Sequence, residues 1–177
     1  MTGIEPALSA WELFQDHSID QGKHQDTRPW WNEENMSQYF QVGDQVLWNP
    51  SNGVAGLFMR SAEALAPETG LPTGLGPMES DECEVDPATL AAFVSALIRR
   101  YERSNHPILH SLMEGFIATA LVLVERGGAE LPVPDTNDAS WKDVQVSEHS
   151  AWPPGGQVRD VERWAALSAQ HARAMPR

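Results

Sequence analysis

The sequence predicts an α+β fold: a helix hairpin at about residues 86–126 and one further helix, packed beside a small sheet of two or three strands. Two consecutive segments in the hairpin region repeat apolar residues at helical spacing, so each has one apolar face. Upstream, aromatic and β-branched residues lie on both sides of Gly43-Asp44, a pattern typical of two short strands joined by a tight turn. A chain of 177 residues with 41% hydrophobic residues can bury one sizeable core but is short for two.

The first strands and the first helix are predicted from local patterns. Residues Tyr39–Trp48 indicate either two strands or one strand with a bulge, and the turn formers that follow end this segment. A helix then runs from about Ser51 to Ala66. Pro67 is expected to end it, because proline lacks an N–H and clashes with the preceding turn. The predicted apolar stripe of this helix comprises Val54, Leu57, Phe58, Ala62 and Leu65.

The segment between this helix and the hairpin is predicted to be a loop followed by a strand. Residues 70–77 hold three glycines and two prolines, which favour a loop. Residues Met78–Asp86 could then hold a short strand, because Cys83 and Val85 alternate with acidic residues.

The helix hairpin is the most strongly patterned part of the chain. Asp86 suits the N-cap and Pro87 the first position of its first helix. The second helix is expected to start at Pro107 and to stop at Gly127-Gly128. Its half from Phe116 to Val124 is apolar nearly all round, so it should be the most buried helix. The expected apolar faces comprise Leu90, Phe93, Val94, Leu97, Ile98 and Tyr101 in the first helix, and Ile108, Leu109, Leu112, Met113 and Phe116 in the second.

The two ends of the chain differ from the predicted core domain at residues 36–128. Residues 1–35 form an N-terminal extension, and the codons that Gly3–Glu12 can use resemble the complement of a tRNA T arm. We therefore expect the natural protein to begin at Met36; the alternative is an N-terminal arm that packs its tryptophans on the body. Residues 129–177 are expected to be irregular, with a strand at Trp141–Val146 and a terminal helix. The terminal helix, Val158–Met175, should direct Val161, Trp164, Ala165 and Leu167 towards the body.

The charge restricts the classes of partner. A net charge of −13 argues against binding to nucleic acid or to an anionic membrane, because both would be repelled. It leaves a basic protein as a partner, attracted by long-range electrostatics, or solubility alone as the explanation. No secretory signal is visible and the longest apolar run is too short for a membrane span, so a cytoplasmic location is expected.

A cluster of acidic residues follows the glycine-rich loop. It is expected to form a partner-binding surface comprising Glu79, Asp81, Glu82 and Glu84. The other interpretations are the solvated face of an edge strand and a pair of carboxylates for acid–base chemistry. The sequence therefore favours a small acidic protein-binding module, of which immunity and antitoxin proteins are one kind, over an enzyme.

The alternative function is a small enzyme or a ligand-binding domain. It would place a pocket between Trp48, Asn49, His110 and Glu114. His106, His110 and Glu114 also have the spacing of three metal ligands on one helix face. His106 precedes a proline and should lie outside the helix, so no metal site is predicted. Common phosphate-binding and nucleophile motifs are absent from the sequence, and neither a catalytic residue nor a cofactor is predicted.

The stretch Ser37–Gly128 resembles an uncharacterised family of small acidic actinobacterial proteins, a domain of unknown function. The resemblance rests on Ser37–Phe40, Val42–Asp44, Leu47–Gly53, Gly70–Pro72, Gly76–Glu79 and Asp81–Cys83. It implies an actinobacterial source and a start near Met36, because members often begin at the equivalent position. It implies no activity and no catalytic residue.

Overall fold

The computed structural model describes residues 37–132 and 161–177, which form four helices and one four-stranded sheet. The predicted α+β class is therefore confirmed. In chain order the elements are β1 (Tyr39–Val42), β2 (Gln45–Trp48), α1 (Asn52–Thr69), β3 (Leu75–Glu79), β4 (Glu82–Val85), α2 (Pro87–Glu102), α3 (Pro107–Arg126) and α4 (Val161–Ala174).

The sheet consists of two hairpins joined side by side in the order β2-β1-β4-β3. Each hairpin is antiparallel, whereas the two central strands, β1 and β4, run parallel. A parallel pair needs a crossover connection, and α1 supplies it between the two hairpins. The predicted pair of strands around Gly43-Asp44 is therefore confirmed as β1 and β2.

The sheet has one strand more than predicted. The expected strand at Met78–Asp86 is divided by a turn into the end of β3 and the whole of β4, and β3 begins at Leu75, inside the stretch predicted to be a loop. Residues Gly76 and Pro77 lie inside β3, where the register shifts between Leu75 and Met78. Proline is tolerated there because β3 is an edge strand with one unpaired side. The turn to β4 has positive φ at both Ser80 (50°) and Asp81 (66°), the pattern of a type I′ hairpin.

The helix hairpin forms the core as predicted. Phe93 and Leu97 of α2 and Phe116 and Leu121 of α3 are all buried and belong to one hydrophobic cluster. The Asp86 carboxylate caps α2 by accepting hydrogen bonds from the backbone N–H groups of residues 88 and 89. The two amphipathic segments therefore bury their shared apolar seam.

The structure corrects part of the predicted apolar stripes. Phe58 and Ala62 of α1 are buried, but Val54 is 49% exposed and Leu57 is 61% exposed. In the first half of α3, Ile108 is 63% exposed and Leu112 is 73% exposed. Helix α2 packs against both of these helices and α4 packs against α3, but the predicted stripes are wider than the surface that these neighbours cover.

The end of α1 also differs from the prediction. Pro67 lies inside the last turn, and the helix continues to Thr69. Gly70 then caps it in the left-handed conformation (φ 68°), with its N–H donating to the carbonyl of Ala66. Pro67 lacks the N–H that would donate to the carbonyl of Glu63, but the helix retains the hydrogen bond from Gly70 to Ala66 at its end.

Gly74 fixes the junction between the second hairpin and α2. Its φ is +75°, and a Cβ at this position would lie 2.4 Å from the backbone nitrogen of Leu90. Its carbonyl accepts a 2.8 Å hydrogen bond from the N–H of Asp86. A residue with a side chain would therefore separate β3 from the first turn of α2.

The terminal helix α4 packs against α3. Trp164 is buried and Leu167 half-buried, as expected, whereas Val161 and Ala165 are exposed. The predicted strand at Trp141–Val146 and the N-terminal tryptophans lie outside the described residues.

By length and composition alone, α3 could cross a membrane, with a mean hydropathy of 1.7 in its most apolar window. Half of that window is buried inside the fold, and the core helix of a soluble protein passes the same test. This is weak evidence for a membrane span.

Candidate functional site

Three of the predicted partner-binding carboxylates share the outer face of the second hairpin, and we call Glu79, Glu82 and Glu84 the acidic sheet face. Burial alternates along β4: Glu82 and Glu84 are exposed, whereas Cys83 and Val85 are buried against the helices. Glu79 on β3 is exposed and pairs directly with Glu82. Directly opposite residues have Cβ atoms about 5 Å apart, and alternate residues of a strand are about 7 Å apart.

The neighbouring strand orients two of these carboxylates. The side-chain amide of Gln41 donates to Oε2 of Glu82 at 3.1 Å, and the N–H of Gly43 donates to Oε1 of Glu84 at 2.9 Å. Both donors are neutral, so they fix the carboxylates without cancelling their charge. Within residues 37–132 and 161–177, none of the three carboxylates forms an ion pair.

Asp81 and Asp86 flank this face but have structural explanations. Asp81 is half-buried at a turn position with positive φ, where aspartate is enriched over most residues. Asp86 is engaged as the cap of α2. Hydrogen bonds from the side chain and backbone of Thr89 and from the backbone of Ala88 lower the pKa of Asp86.

Cys83 lies directly beneath the acidic sheet face. Burial raises the pKa of its thiol to about 11, a backbone hydrogen bond with Gly76 opposes this shift, and the charge of Glu84 adds to it. A thiol with this pKa is protonated at neutral pH and is a poor nucleophile. It therefore serves as a core residue.

Of the four residues Trp48, Asn49, His110 and Glu114, Trp48 lines the groove described below, and the other three have hydrogen-bond partners elsewhere. The Nε2 atom of His110 lies 2.8 Å from the carbonyl oxygen of Ser104 and 3.1 Å from that of Tyr101. Because carbonyls only accept, Nε2 carries the proton. The imidazole also stacks on the ring of Tyr101 at 3.9 Å, so it fastens the turn between α2 and α3.

Glu114 belongs to a polar cluster that holds the start of α4. It accepts a 2.6 Å hydrogen bond from Arg163 and a 3.2 Å hydrogen bond from the hydroxyl of Tyr101. Burial raises the pKa of Tyr101, with the charge of Arg163 opposing the shift and that of Glu114 supporting it. The Arg163 guanidinium also lies over the rings of Tyr101 and Trp164.

The histidine spacing does not form a metal site. His106 is the N-cap of α3, and its Nδ1 accepts from the N–H of Leu109 at 3.5 Å. His110 points at backbone carbonyls instead. Within the part of the chain that the structure describes, no three histidine, cysteine or acidic side chains converge as a metal ion requires.

Trp48 lines a different concave surface, a groove of about 480 Å³ between α1, α3 and α4. Its residues are Trp48, Val54, Leu57, Phe58, Ser61, Leu112, Gly115, Phe116, Thr119, Gln170, His171, Ala174 and Met175. We call this surface the helical groove. Asn49, His110 and Glu114 are not among the residues that line it. Asn49 instead donates its N–H to the carbonyl of Pro176.

Aromatic rings and one polar pair form the walls of the helical groove. Phe58 stacks on Phe116 at 4.9 Å, and Trp48 meets Phe58 edge-on at 5.4 Å. Thr119 contacts Nδ1 of His171 and the carbonyl of Gly115, each at 3.0 Å. Both hydrogen bonds form together when the hydroxyl donates to the carbonyl and accepts from the imidazole N–H.

Sequence reasoning missed this groove because it depends on where α4 lies. A contact between Thr119 and His171 spans 52 positions, and nothing local predicts it.

Together these features define the class of protein: an α+β domain with a mixed four-stranded sheet, an acidic sheet face and an open helical groove. The chain belongs to DUF6086, a family of unknown function, which matches residues 36–177. The match continues through α4, beyond Gly128, where the resemblance seen in the sequence ended. No curated protein and no solved structure matches the chain.

Proposed function

We propose that this chain is a small acidic cytoplasmic protein-binding module whose acidic sheet face binds a basic partner protein. The observation that carries the proposal is the alignment of Glu79, Glu82 and Glu84, exposed and without an ion pair among the described residues. An actinobacterial source and an immunity or antitoxin role are the narrower parts of the proposal.

The energetics of the face support a charged partner. Glu79 and Glu82 are directly opposite each other, and like charges at such positions destabilise a sheet. A cationic partner offsets that repulsion, because its positive charge attracts both carboxylates. The net charge of −13 adds a long-range field that accelerates encounter with a basic protein.

The geometry indicates what the partner presents. Gln41 and Gly43 already orient two carboxylates, so little side-chain freedom is lost on binding. Arginine matches a carboxylate with two parallel hydrogen bonds. Carboxylates about 7 Å apart on one strand suit arginines two residues apart on a strand or about one turn apart on a helix. We therefore expect an arginine-rich strand edge or helix face.

An affinity capture tests the proposal. The full chain is immobilised, proteins from a lysate of the source organism are captured at low and high salt, and bound proteins are identified. We expect a basic protein that the triple variant E79Q/E82Q/E84Q does not retain and that high salt releases. The captured protein must then bind again in purified form.

A matched variant controls for net charge. Glu63, Glu130 and Glu162 are exposed and lie outside the acidic sheet face, so E63Q/E130Q/E162Q removes the same charge elsewhere. It should retain the partner. Equal loss in both variants would show that overall charge, and not this face, causes binding, and the proposal would fail.

One observation supports the alternative function, a small enzyme or a ligand-binding domain. The helical groove, with a volume of about 480 Å³ and Trp48 in its wall, has the size of a small-molecule site. Its two rims, at Leu57 and Leu112, are largely exposed, and a small ligand would leave them so. We therefore favour the protein-binding function.

A further inference from the structure

We propose that the helical groove is a self-association surface, in which a second copy of this chain docks the exposed apolar rims of its own α1 and α3. This proposal does not depend on the proposed function, because none of the acidic sheet face lines the groove.

The first observation is the exposure of large apolar side chains on both rims. Val54 and Leu57 on α1 and Leu112 on α3 line the groove, and Ile108 lies one turn before Leu112. Each of them leaves about half or more of its surface in water. Four such side chains reach the few hundred Å² at which an exposed apolar patch marks an interaction site.

The second observation is the lack of charge. Charged residues make up 37 of the 177 in this chain (12 basic and 25 acidic), so thirteen residues drawn at random would include about three. The thirteen described residues that line the groove include no aspartate, glutamate, lysine or arginine. Two copies, each with a net charge of −13, repel each other over most of their surface. They approach at least cost where neither has charge.

The third observation is the shape of the groove. A two-fold interface is self-complementary, so one patch must hold both a projection and the recess that receives it. The rim leucines Leu57 and Leu112 are the projections. The recess lies beside them at Gly115, where a Cβ would meet no atom within 4 Å. The Phe58–Phe116 stack provides an apolar, aromatic wall beside it.

These three observations favour a second copy over other occupants. A small molecule would fill the recess and leave the rims exposed, and a basic partner would gain nothing from an uncharged surface. The exposed rims and the groove walls offer a few hundred Å² to a partner, the size of a weak and transient interface, so we expect a dimer that forms only at high concentration. The resulting dimer keeps both acidic sheet faces free.

Sedimentation equilibrium of the full chain, from micromolar to near-millimolar concentration, tests the proposal. We expect a monomer–dimer equilibrium that strengthens, or at least holds, as salt rises, because salt screens the repulsion between copies. Binding of a basic partner to the acidic sheet face has the opposite salt dependence. The two proposals can therefore fail separately.

Variants at the rims localise the interface. L57E and L112E should each weaken dimerisation by more than about 30-fold, since each buries a carboxylate in an apolar contact. L71E introduces the same charge at a leucine that is exposed but outside the groove, and it should dimerise like the wild type. Both rim positions are mostly exposed, so far-UV circular dichroism should show folded proteins.

Three outcomes would overturn the proposal. One is a monomer at all concentrations, and another is a dimer that L57E and L112E do not weaken. The third is a monomer whose binding to a different molecule is abolished by L57E, which would assign the groove to that molecule.

Discussion

The Nη1 atom of Arg126 donates a 2.7 Å hydrogen bond to the carbonyl oxygen of Leu47, which joins the end of α3 to β2. Its Nη2 donates to the carbonyls of Ala172 and Met175, at 3.1 and 3.0 Å, at the end of α4. Carbonyls at a helix C-terminus carry partial negative charge and favour a cation. One guanidinium therefore connects the sheet, the central helix and the terminal helix, even though burial lowers the pKa of Arg126.

Replacing this guanidinium should weaken the packing of α4 against the rest of the fold. We expect R126M to lower the free energy of unfolding by about 2 kcal/mol or more, because three carbonyls lose a charged donor. Amide hydrogen exchange should accelerate in residues 161–177 more than in α2. R60M, at an exposed arginine of α1, is the control and should change neither quantity. Unchanged exchange in α4 would refute the role of Arg126.

The burial assigned to the helix hairpin is tested by the same substitution, leucine to alanine, at one buried and one exposed position. Leu97 is fully buried, whereas Leu112 is 73% exposed. We expect L97A to cost about 2–5 kcal/mol of stability, through lost burial and the cavity left behind. L112A should change the stability of the monomer by no more than about 0.5 kcal/mol. Urea denaturation at low protein concentration measures both, and equal effects would contradict the assigned burial.

The Asp86 cap of α2 predicts that the stability of the fold depends on pH in the acidic range. The pKa of Asp86 is lower in the folded chain than its ordinary value of 3.8, so its ionised form stabilises the fold. That contribution is complete above the ordinary pKa and is lost as pH falls through the folded pKa. D86N should therefore differ most from the wild type above about pH 5, and the difference should shrink below about pH 4. A difference that stays constant across this range would exclude the effect.

The buried thiol of Cys83 predicts that the stability of the fold depends on pH in the alkaline range. Burial raises the pKa of its thiol from 9.0 to about 11, so the fold favours the protonated form. This contribution is complete below pH 9.0 and is lost as pH rises towards 11. The stability of the wild type should fall more steeply over this interval than that of C83A. A thiol reagent should also react far faster in urea than in the native state; equal rates would show that the thiol is accessible.

Much of the fold could be predicted because its signals are local. Asp86-Pro87 and Gly127-Gly128 bound helices through capping geometry, and the apolar repeats of α2 depend on neighbours three or four residues away. Strand β3 could not be predicted in this way. Gly76 and Pro77 resemble a loop, and only pairing with β4 makes them an edge strand.

The candidate site was less predictable because its contacts are distant in sequence. Local charge identified Glu79, Glu82 and Glu84, and their alternation with Cys83 indicated one exposed face. His110 and Glu114 were grouped with Trp48 by residue type. The position of α4, which engages Glu114 through Arg163, determines their actual roles. Helix periodicity could not reveal that Leu57 and Leu112 are exposed, since it does not say how much of an apolar stripe is covered.

The acidic sheet face is tested most directly by calorimetric titration of the purified basic partner into three proteins: the wild type, E79Q/E82Q/E84Q and E63Q/E130Q/E162Q. We expect the first variant to bind at least about 30-fold more weakly than the wild type, and the second to bind within about threefold of it. Raising the salt concentration should reduce the difference. Equal affinities of the two variants would contradict the account.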